Sequence, residues 1–152
     1  MVLEHYSHSA DPLDLGNLTR RTRMLTDKPT GLWLSVPGHK DWPTYCRSEG
    51  IGGPAPHRHL VTLADDASLL RLTTLEDVMG LGARFPGPDA FGDGFVFAID
   101  WQRIAEQWDG ILITPYQGGA RFNPLSAWYY SWDCACACIW DARAIASAAP
   151  PV

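Results

Sequence analysis

Short apolar segments, each closed by glycine, proline or another turn residue, recur along this 152-residue chain. Residues 31–36 are the clearest example, because their side chains alternate between two faces before Pro37 and Gly38 end the segment. Similar runs predict further strands, over residues 3–8, 59–63, 68–72, 111–114, 127–132 and 134–140. Strands this short favour a sheet that is mostly antiparallel.

Helical spacing is found in only a few places between these strands. Three helices are predicted: residues 41–49 with Asp41 as N-cap, residues 74–79 with Thr73 or Thr74 as N-cap, and residues 100–108 with Asp100 as N-cap. Residues 11–30 and the glycine-rich residues 80–94 are predicted as loops. No repeat or linker divides the chain, so we predict one compact α+β domain over residues 1–147 and a frayed tail, residues 148–152.

Charge and hydropathy narrow the classes of partner. The chain has 12 Lys and Arg against 17 Asp and Glu, a net charge of −5, so no basic face for nucleic acid is evident. No apolar run approaches the roughly 18 residues that span a bilayer, and the first residues lack the pattern of a secretory signal. We therefore expect a cytoplasmic protein without a membrane partner. The chain has seven Trp, more than one small core can bury, so some are expected to line a cleft or an interface.

The cysteines and histidines do not form a recognisable metal motif. Cys134, Cys136 and Cys138 alternate along one predicted strand, which leaves their outer sulfurs too far apart for an ordinary tetrahedral zinc site. We interpret them as small buried residues packed beneath a tryptophan. His57 and His59 share a strand face but lack a third ligand at suitable spacing. No metal is expected, and a zinc- or thiol-dependent domain is kept as an alternative.

Two of the predicted strands carry candidate binding residues. His5 can hydrogen-bond a ribose hydroxyl or a carboxamide, and the ring of Tyr6 can stack on a heterocycle. On the second strand Gly31 lets a ligand approach the backbone, while Trp33 and Ser35 present an indole and a hydroxyl on the same face. That combination suits the binding of a flat ring.

Asp133 is the main candidate for a catalytic carboxylate. It directly precedes the alternating cysteines, and the small alanines that follow it leave room for a ligand near the sheet. Asp133 can equally end a strand or cap a turn. Glu4, Glu49 and Asp109 are further acidic candidates.

Read in order, these segments resemble a small bacterial or phage ADP-ribosyltransferase. Such domains begin with a strand that carries His or Arg, continue with a strand similar to Gly-Leu-Trp-x-Ser, and end with an Asp-Gly-Ile strand and a strand that bears the acid. The corresponding residues here are His5 and Tyr6, residues 31–35, residues 108–111, Asp133, and a closing phrase over residues 139–145. The family's usual acid is Glu, one methylene longer than Asp133, and alignment of the closing phrase places Cys136 near the usual acidic position.

The resemblance implies two packed sheets with flanking helices, and NAD as substrate. It implies that His5 holds a ribose or the nicotinamide amide and that Ser35 contacts the nicotinamide ribose. Trp33 or Tyr6 would stack on the nicotinamide ring. Asp133 would be the catalytic acid that stabilises the oxocarbenium-like centre.

The implied activity is mono-ADP-ribosyl transfer by a toxin or phage effector to an acceptor, for which a protein is favoured over nucleic acid. The alternative is a non-catalytic protein-binding module, such as a phage or immunity-type inhibitor. An acidic surface with exposed tryptophans is typical of such an interface.

Overall fold

Across the residues that the computed structural model describes, 1–20, 25–88 and 94–152, the chain forms nine strands and three α-helices. The strands are β1 (Val2–Ser7), β2 (Leu25–Thr26), β3 (Leu32–Ser35), β4 (His57–Leu63), β5 (Leu69–Leu72), β6 (Ile99–Asp100), β7 (Gly110–Ile113), β8 (Cys136–Ile139) and β9 (Ile145–Ala148). The α-helices are α1 (Trp42–Ser48), α2 (Leu75–Arg84) and α3 (Trp101–Ala105). Short 3-10 helices cover Leu15–Asn17, Gly118–Ala120, Pro124–Ser131 and Ala142–Ala144.

Seven of the strands form one mixed sheet in the order β5-β7-β8-β3-β1-β4-β9, and β2 pairs with β6 in a separate two-stranded sheet. Only the β5–β7 pair is parallel among these described strands; the other neighbours are antiparallel. The prediction of an α+β domain with mostly antiparallel strands is therefore confirmed. The finer expectation of two packed sheets is not, since the main sheet is continuous.

The main sheet divides the core into two layers, as the alternating side chains of β8 show. Cys136 and Cys138 face the larger layer, which also holds side chains of α2, α3 and the segment Pro124–Ser131. Ala137 and Ile139 face the second layer, with apolar residues of β1, β3 and β4. This alternation is the one predicted for residues 134–140, and it places all three thiols of the segment against buried tryptophans.

The helix starts follow from local capping. The Asp41 side chain accepts the Thr44 N–H at 2.9 Å, and the Asp100 side chain accepts the Arg103 N–H. Thr74 caps α2, which confirms one of the two predicted caps for that helix. Each cap satisfies a backbone donor that has no partner within the helix.

Local predictions differ from the structure at several positions, and three of these differences have an identifiable structural cause. Helix α2 extends to Arg84, inside the segment predicted as a loop, because Gly82 packs directly against the side chain of Val96. Residues 127–132 were expected to be extended, but Pro124–Ser131 forms a 3-10 helix that starts with a proline and a cap from Asn123. The tail does not fray, since the N–H groups of Ala149 and Val152 donate to carbonyls of β4.

Among the helices in the described ranges, none has both the length and the apolar character needed to cross a bilayer.

Candidate functional site

A cleft of about 580 Å³ opens over the sheet where β1 and β3 meet. These strands share a single register pair, Glu4 with Ser35. The cleft is lined by side chains of β1 and β3, by residues around the start of β8, by Trp42 of α1, and by the loop that follows α1. Its volume lies within the range of about 300–1,000 Å³ that is usual for small-molecule sites.

Five of the residues selected from the sequence line this one cleft: His5, Tyr6, Trp33, Ser35 and Asp133. The register explains part of this grouping. Tyr6 lies two positions from Glu4 and Trp33 two positions from Ser35, so both share the face of the Glu4–Ser35 pair. Residues from both ends of the chain therefore meet at one cleft.

His5 is fixed by a hydrogen bond between strands. Its Nδ1 lies 2.9 Å from the carbonyl oxygen of Trp33. A carbonyl only accepts, so Nδ1 carries the proton in this bond, and in the neutral ring Nε2 is then an acceptor. His5 thus offers an acceptor that suits a ribose hydroxyl or an amide N–H.

Ser35 connects β3 to α1. Its hydroxyl oxygen accepts the backbone N–H of Trp42 at 2.9 Å, which leaves the hydroxyl proton as a donor. Trp42 stacks on Tyr45 with ring centroids 5.5 Å apart. The Lys28 ammonium, which also lines the cleft, lies 5.5 Å from the centre of the Trp33 ring. The cleft therefore combines indole rings with a cation, a combination suited to a flat, anionic ligand.

Sequence reasoning did not select Trp42, Trp132 or Lys28 for the site, although all three line the cleft. The seven tryptophans predicted that some would line a cleft, but not which ones. Trp42 follows directly after the N-cap Asp41, and its place beside Ser35 depends on how α1 docks on the sheet. No short-range pattern encodes that docking.

Asp133 lies just before β8 with 24% of its side chain exposed. Its Oδ1 is 3.4 Å from Nη2 of Arg121, a long ion pair that leaves the carboxylate open to the cleft. Burial, and next the carboxylate of Asp133, raise the pKa of Tyr45 above its ordinary value. Tyr45 is therefore a protonated phenol that can donate to Asp133 at neutral pH.

The other acidic candidates differ in their exposure, their ion pairs and their position relative to the cleft. Glu49 is exposed at the end of α1. Asp109 is held by Arg20 and Arg143 and accepts the N–H of Ser68, so it stabilises the fold. Glu4 lines the cleft but is only 9% exposed. Asp133 and Glu4 are thus the carboxylates of the selected set that reach the cleft.

Cys134 and Cys136 also line the cleft. The hydrogen bond with Cys134, and next burial, raise the pKa of Cys136 above its ordinary value. This thiol therefore stays protonated. Within the described part of the chain, no group of three or more His, Cys, Asp or Glu side chains is arranged to hold a metal ion.

Comparison of the chain with protein families, with curated proteins and with solved structures finds no match to any of them. The resemblance to ADP-ribosyltransferases therefore rests on the residues of this chain alone.

Gly31 is the one predicted binding residue that does not line the cleft. A Cβ at this position would lie 2.5 Å from the carbonyl oxygen of Ile139 and 2.8 Å from Sγ of Cys138. The absence of a side chain at Gly31 thus lets the start of β3 approach β8, rather than letting a ligand approach the backbone. This corrects the interpretation from the sequence.

We expect Gly31→Ala to lower the free energy of unfolding by about 1–3 kcal/mol, because the added methyl group must displace backbone of β8. Urea unfolding followed by far-UV circular dichroism measures this. Gly80→Ala is the matched control: Gly80 lies in α2 with open space around its Cα, so alanine should be neutral or stabilise by up to about 1 kcal/mol. Equal stability of the two variants would contradict the packing role of Gly31.

His59 lies behind the cleft and is fully buried. It pairs with His5 across β1 and β4, with ring centroids 5.9 Å apart. Neither ring nitrogen has a hydrogen-bond partner of normal geometry. Burial, and next His5, lower the pKa of His59, while His57 acts in the same direction and the backbone of Ala149 and Ser9 partly opposes it.

The sign of the resulting pH dependence follows from linkage. An unfolded chain protonates His59 near its ordinary pKa of about 6.5, whereas the folded protein does so only at lower pH. His59 therefore does not lower the free energy of unfolding above about pH 6.5. Below that pH the free energy of unfolding falls as the pH drops toward the folded-state pKa, by at most about 1.4 kcal/mol per pH unit for this proton. Urea unfolding at pH 7.5 and 5.5 should show a smaller pH dependence in His59→Leu than in the wild type or in His39→Gln, a change at an exposed position. An unchanged pH dependence in His59→Leu would contradict this assignment.

Proposed function

We propose that this protein binds NAD in the cleft and transfers its ADP-ribose to an acceptor. The observation that carries the proposal is that His5, Tyr6, Trp33, Ser35 and Asp133 line a single cleft. Those residues were selected from the sequence by their chemistry and by one resemblance, and they come from segments far apart in the chain. Their convergence supports that resemblance without depending on any relative.

The donors, acceptors and rings of the cleft match the chemistry of a nicotinamide riboside. The ring of Trp33 or Tyr6 stacks on nicotinamide, and the Ser35 hydroxyl donates to the adjacent ribose. His5 accepts a hydrogen bond through Nε2 from a ribose hydroxyl or the carboxamide. Lys28 supplies positive charge for the pyrophosphate.

In the proposed reaction the bond between ribose C1′ and the nicotinamide nitrogen breaks, and its electron pair leaves with nicotinamide. C1′ becomes electron-deficient, and the carboxylate of Asp133 stabilises the positive charge on the ribose. A nucleophile of the acceptor then forms the new bond to C1′ and loses its proton. No metal and no redox step are needed for this balance.

Two measurements on the wild-type protein test the proposal. NAD should quench tryptophan fluorescence, because Trp33 and Trp42 line the cleft, and ADP-ribose should compete. Nicotinamide release should be detectable by chromatography, and NAD labelled in its adenylate part should label an acceptor in lysate. A protein that neither binds NAD nor releases nicotinamide across a range of lysates would overturn the proposal.

A second function, a non-catalytic protein-binding module, is favoured by one surface feature. Phe122 is 80% exposed and Tyr130 is 57% exposed, with ring centroids 5.7 Å apart. The Arg121 guanidinium lies over both rings. Exposed aromatic side chains with an arginine are typical of interaction hot spots.

The two functions predict opposite outcomes for matched variants. If binding to a protein is the function, Phe122→Ala should weaken capture of the partner, while Asp133→Asn leaves capture unchanged. If the protein is a transferase, Asp133→Asn should abolish labelling of the acceptor. No labelling by the wild type, with capture lost in Phe122→Ala, would favour the binding module.

A further inference from the structure

The buried carboxylate of Glu4 has both of its oxygens occupied by side chains of neighbouring positions. The Tyr6 hydroxyl donates to Oε2 at 2.6 Å, and Nη1 of Arg58 donates to Oε1 at 3.1 Å. The register accounts for this arrangement: Tyr6 lies opposite Arg58 on β4 and two positions from Glu4, so all three project from one face.

Glu4 is therefore poorly suited to act directly on a ligand. Its charge is balanced by Arg58, and only 11% of its side chain is exposed. The hydroxyl of Tyr6 is also occupied. Burial, and next its hydrogen bond to Glu4, raise the pKa of the phenol above its ordinary value. The phenol keeps its proton and donates a hydrogen bond to Glu4, so what Tyr6 offers to the cleft is its ring.

We propose that Glu4 is a positioning residue that holds the Tyr6 ring as a fixed wall of the cleft, and that it sets the affinity for NAD without taking part in bond breaking. The proposal rests on NAD being the ligand, as argued above. A ring held at both its backbone and its hydroxyl loses little freedom when a nicotinamide or adenine stacks on it, and such preorganisation strengthens binding. Arg58 does not line the cleft and acts by holding Glu4.

Steady-state kinetics of nicotinamide release separate this role from catalysis. Glu4→Ala should raise KM for NAD about ten-fold, the scale of one lost hydrogen bond to a charged group, with kcat changed less than about two-fold. Glu4→Gln keeps an oxygen that accepts from Tyr6 and should recover most of the affinity. Glu76→Ala, an exposed glutamate of α2, is the matched control and should leave both constants unchanged.

A double-mutant cycle shows whether Glu4 acts through Tyr6. In a Tyr6→Phe background the hydroxyl is already absent, so Glu4→Ala should raise KM by less than about two-fold further. An additive ten-fold effect would overturn the proposal. A fall in kcat for Glu4→Gln as large as that for Asp133→Asn would also overturn it, because Glu4 would then be the acid.

One readout does not require NAD and keeps this proposal distinct from the proposed function. In protein labelled at the Cζ carbon of tyrosine, the Tyr6 resonance is identified by its loss in Tyr6→Phe. That resonance should shift in Glu4→Ala and stay near its wild-type position in Glu4→Gln at neutral pH. If the wild type fails to bind NAD, the proposed function fails, whereas a Tyr6 resonance unaffected by Glu4→Ala removes the positioning role by itself.

Discussion

Asp133→Asn is expected to lower the rate of nicotinamide release from NAD by about 100- to 1,000-fold, with little change in the dissociation constant for NAD. Asparagine has nearly the same shape as aspartate, and it can still accept a hydrogen bond from Tyr45. What it lacks is the negative charge that, in the proposed reaction, stabilises the oxocarbenium-like centre, a contribution of about 3–4 kcal/mol when the group is well placed. Single-turnover release measured with NAD in excess of its dissociation constant reports this step directly.

The matched control is Asp66→Asn, which removes one negative charge from an exposed position outside the cleft. It reproduces the change in net charge without touching the site, so its rate should equal that of the wild type. Asp133→Glu tests the departure from the family's usual acid: a carboxylate is retained and more activity should survive than in Asp133→Asn. Equal rates for Asp133→Asn and Asp66→Asn would exclude the catalytic role of Asp133.

Arg121 connects this carboxylate to the exposed aromatic surface. Its guanidinium pairs with Asp133, and its Nε donates to the carbonyl of Tyr130 at 3.0 Å. A partner that covers Phe122 and Tyr130 would therefore contact a side chain that touches the proposed acid. The two candidate functions are compatible in space, since an acceptor bound there would lie beside the cleft.

The parts of the fold that were predictable are those that depend on neighbours in sequence. The N-caps Asp41 and Asp100 and the alternation of residues 134–140 were all found where the sequence indicated. Each depends on contacts within a few residues, such as a side chain that accepts an N–H three positions ahead.

The parts that failed depend on contacts that sequence spacing does not encode. Two glycines near the end of α2 indicated a loop, yet the helix continues because Gly82 packs against Val96, which lies well beyond the helix. The run of aromatic residues after Pro124 predicted an extended segment, but it forms a 3-10 helix whose buried Trp128 and Tyr129 complete the core. In both cases tertiary packing overrides local propensity.

The candidate site shows the same division. Alternation on β1 and β3 was enough to place Tyr6 with Glu4 and Trp33 with Ser35 on shared faces. That these two strands are neighbours, and that Trp42 closes one side of the cleft, depends on sheet order and helix docking. The sequence therefore selected residues that line the cleft, while the arrangement of the cleft depends on the three-dimensional structure.

The tryptophan cluster links the stability of the fold to the cleft. Trp132 lines the cleft, and its ring lies 4.8 Å from Trp33 at one side and 6.0 Å from Trp101 at the other. Trp101 is itself fully buried and also packs edge-on against Trp128, 5.6 Å away. A change at Trp101 therefore removes the support behind a residue of the site without touching the site.

We expect Trp101→Ala to lower the free energy of unfolding by about 3–5 kcal/mol, because the cavity left by a buried indole cannot collapse within a close-packed cluster. This is a large fraction of the roughly 5–15 kcal/mol that stabilises a domain of this kind, so urea unfolding should shift to much lower urea concentrations.

Phe122→Ala, at an aromatic position that is 80% exposed, is the control and should change the free energy of unfolding by less than about 1 kcal/mol. If the two variants lost similar stability, Trp101 would not have the central packing role assigned to it. If Trp101→Ala stays folded but binds NAD more weakly, the loss of support behind Trp132 is the physical reason.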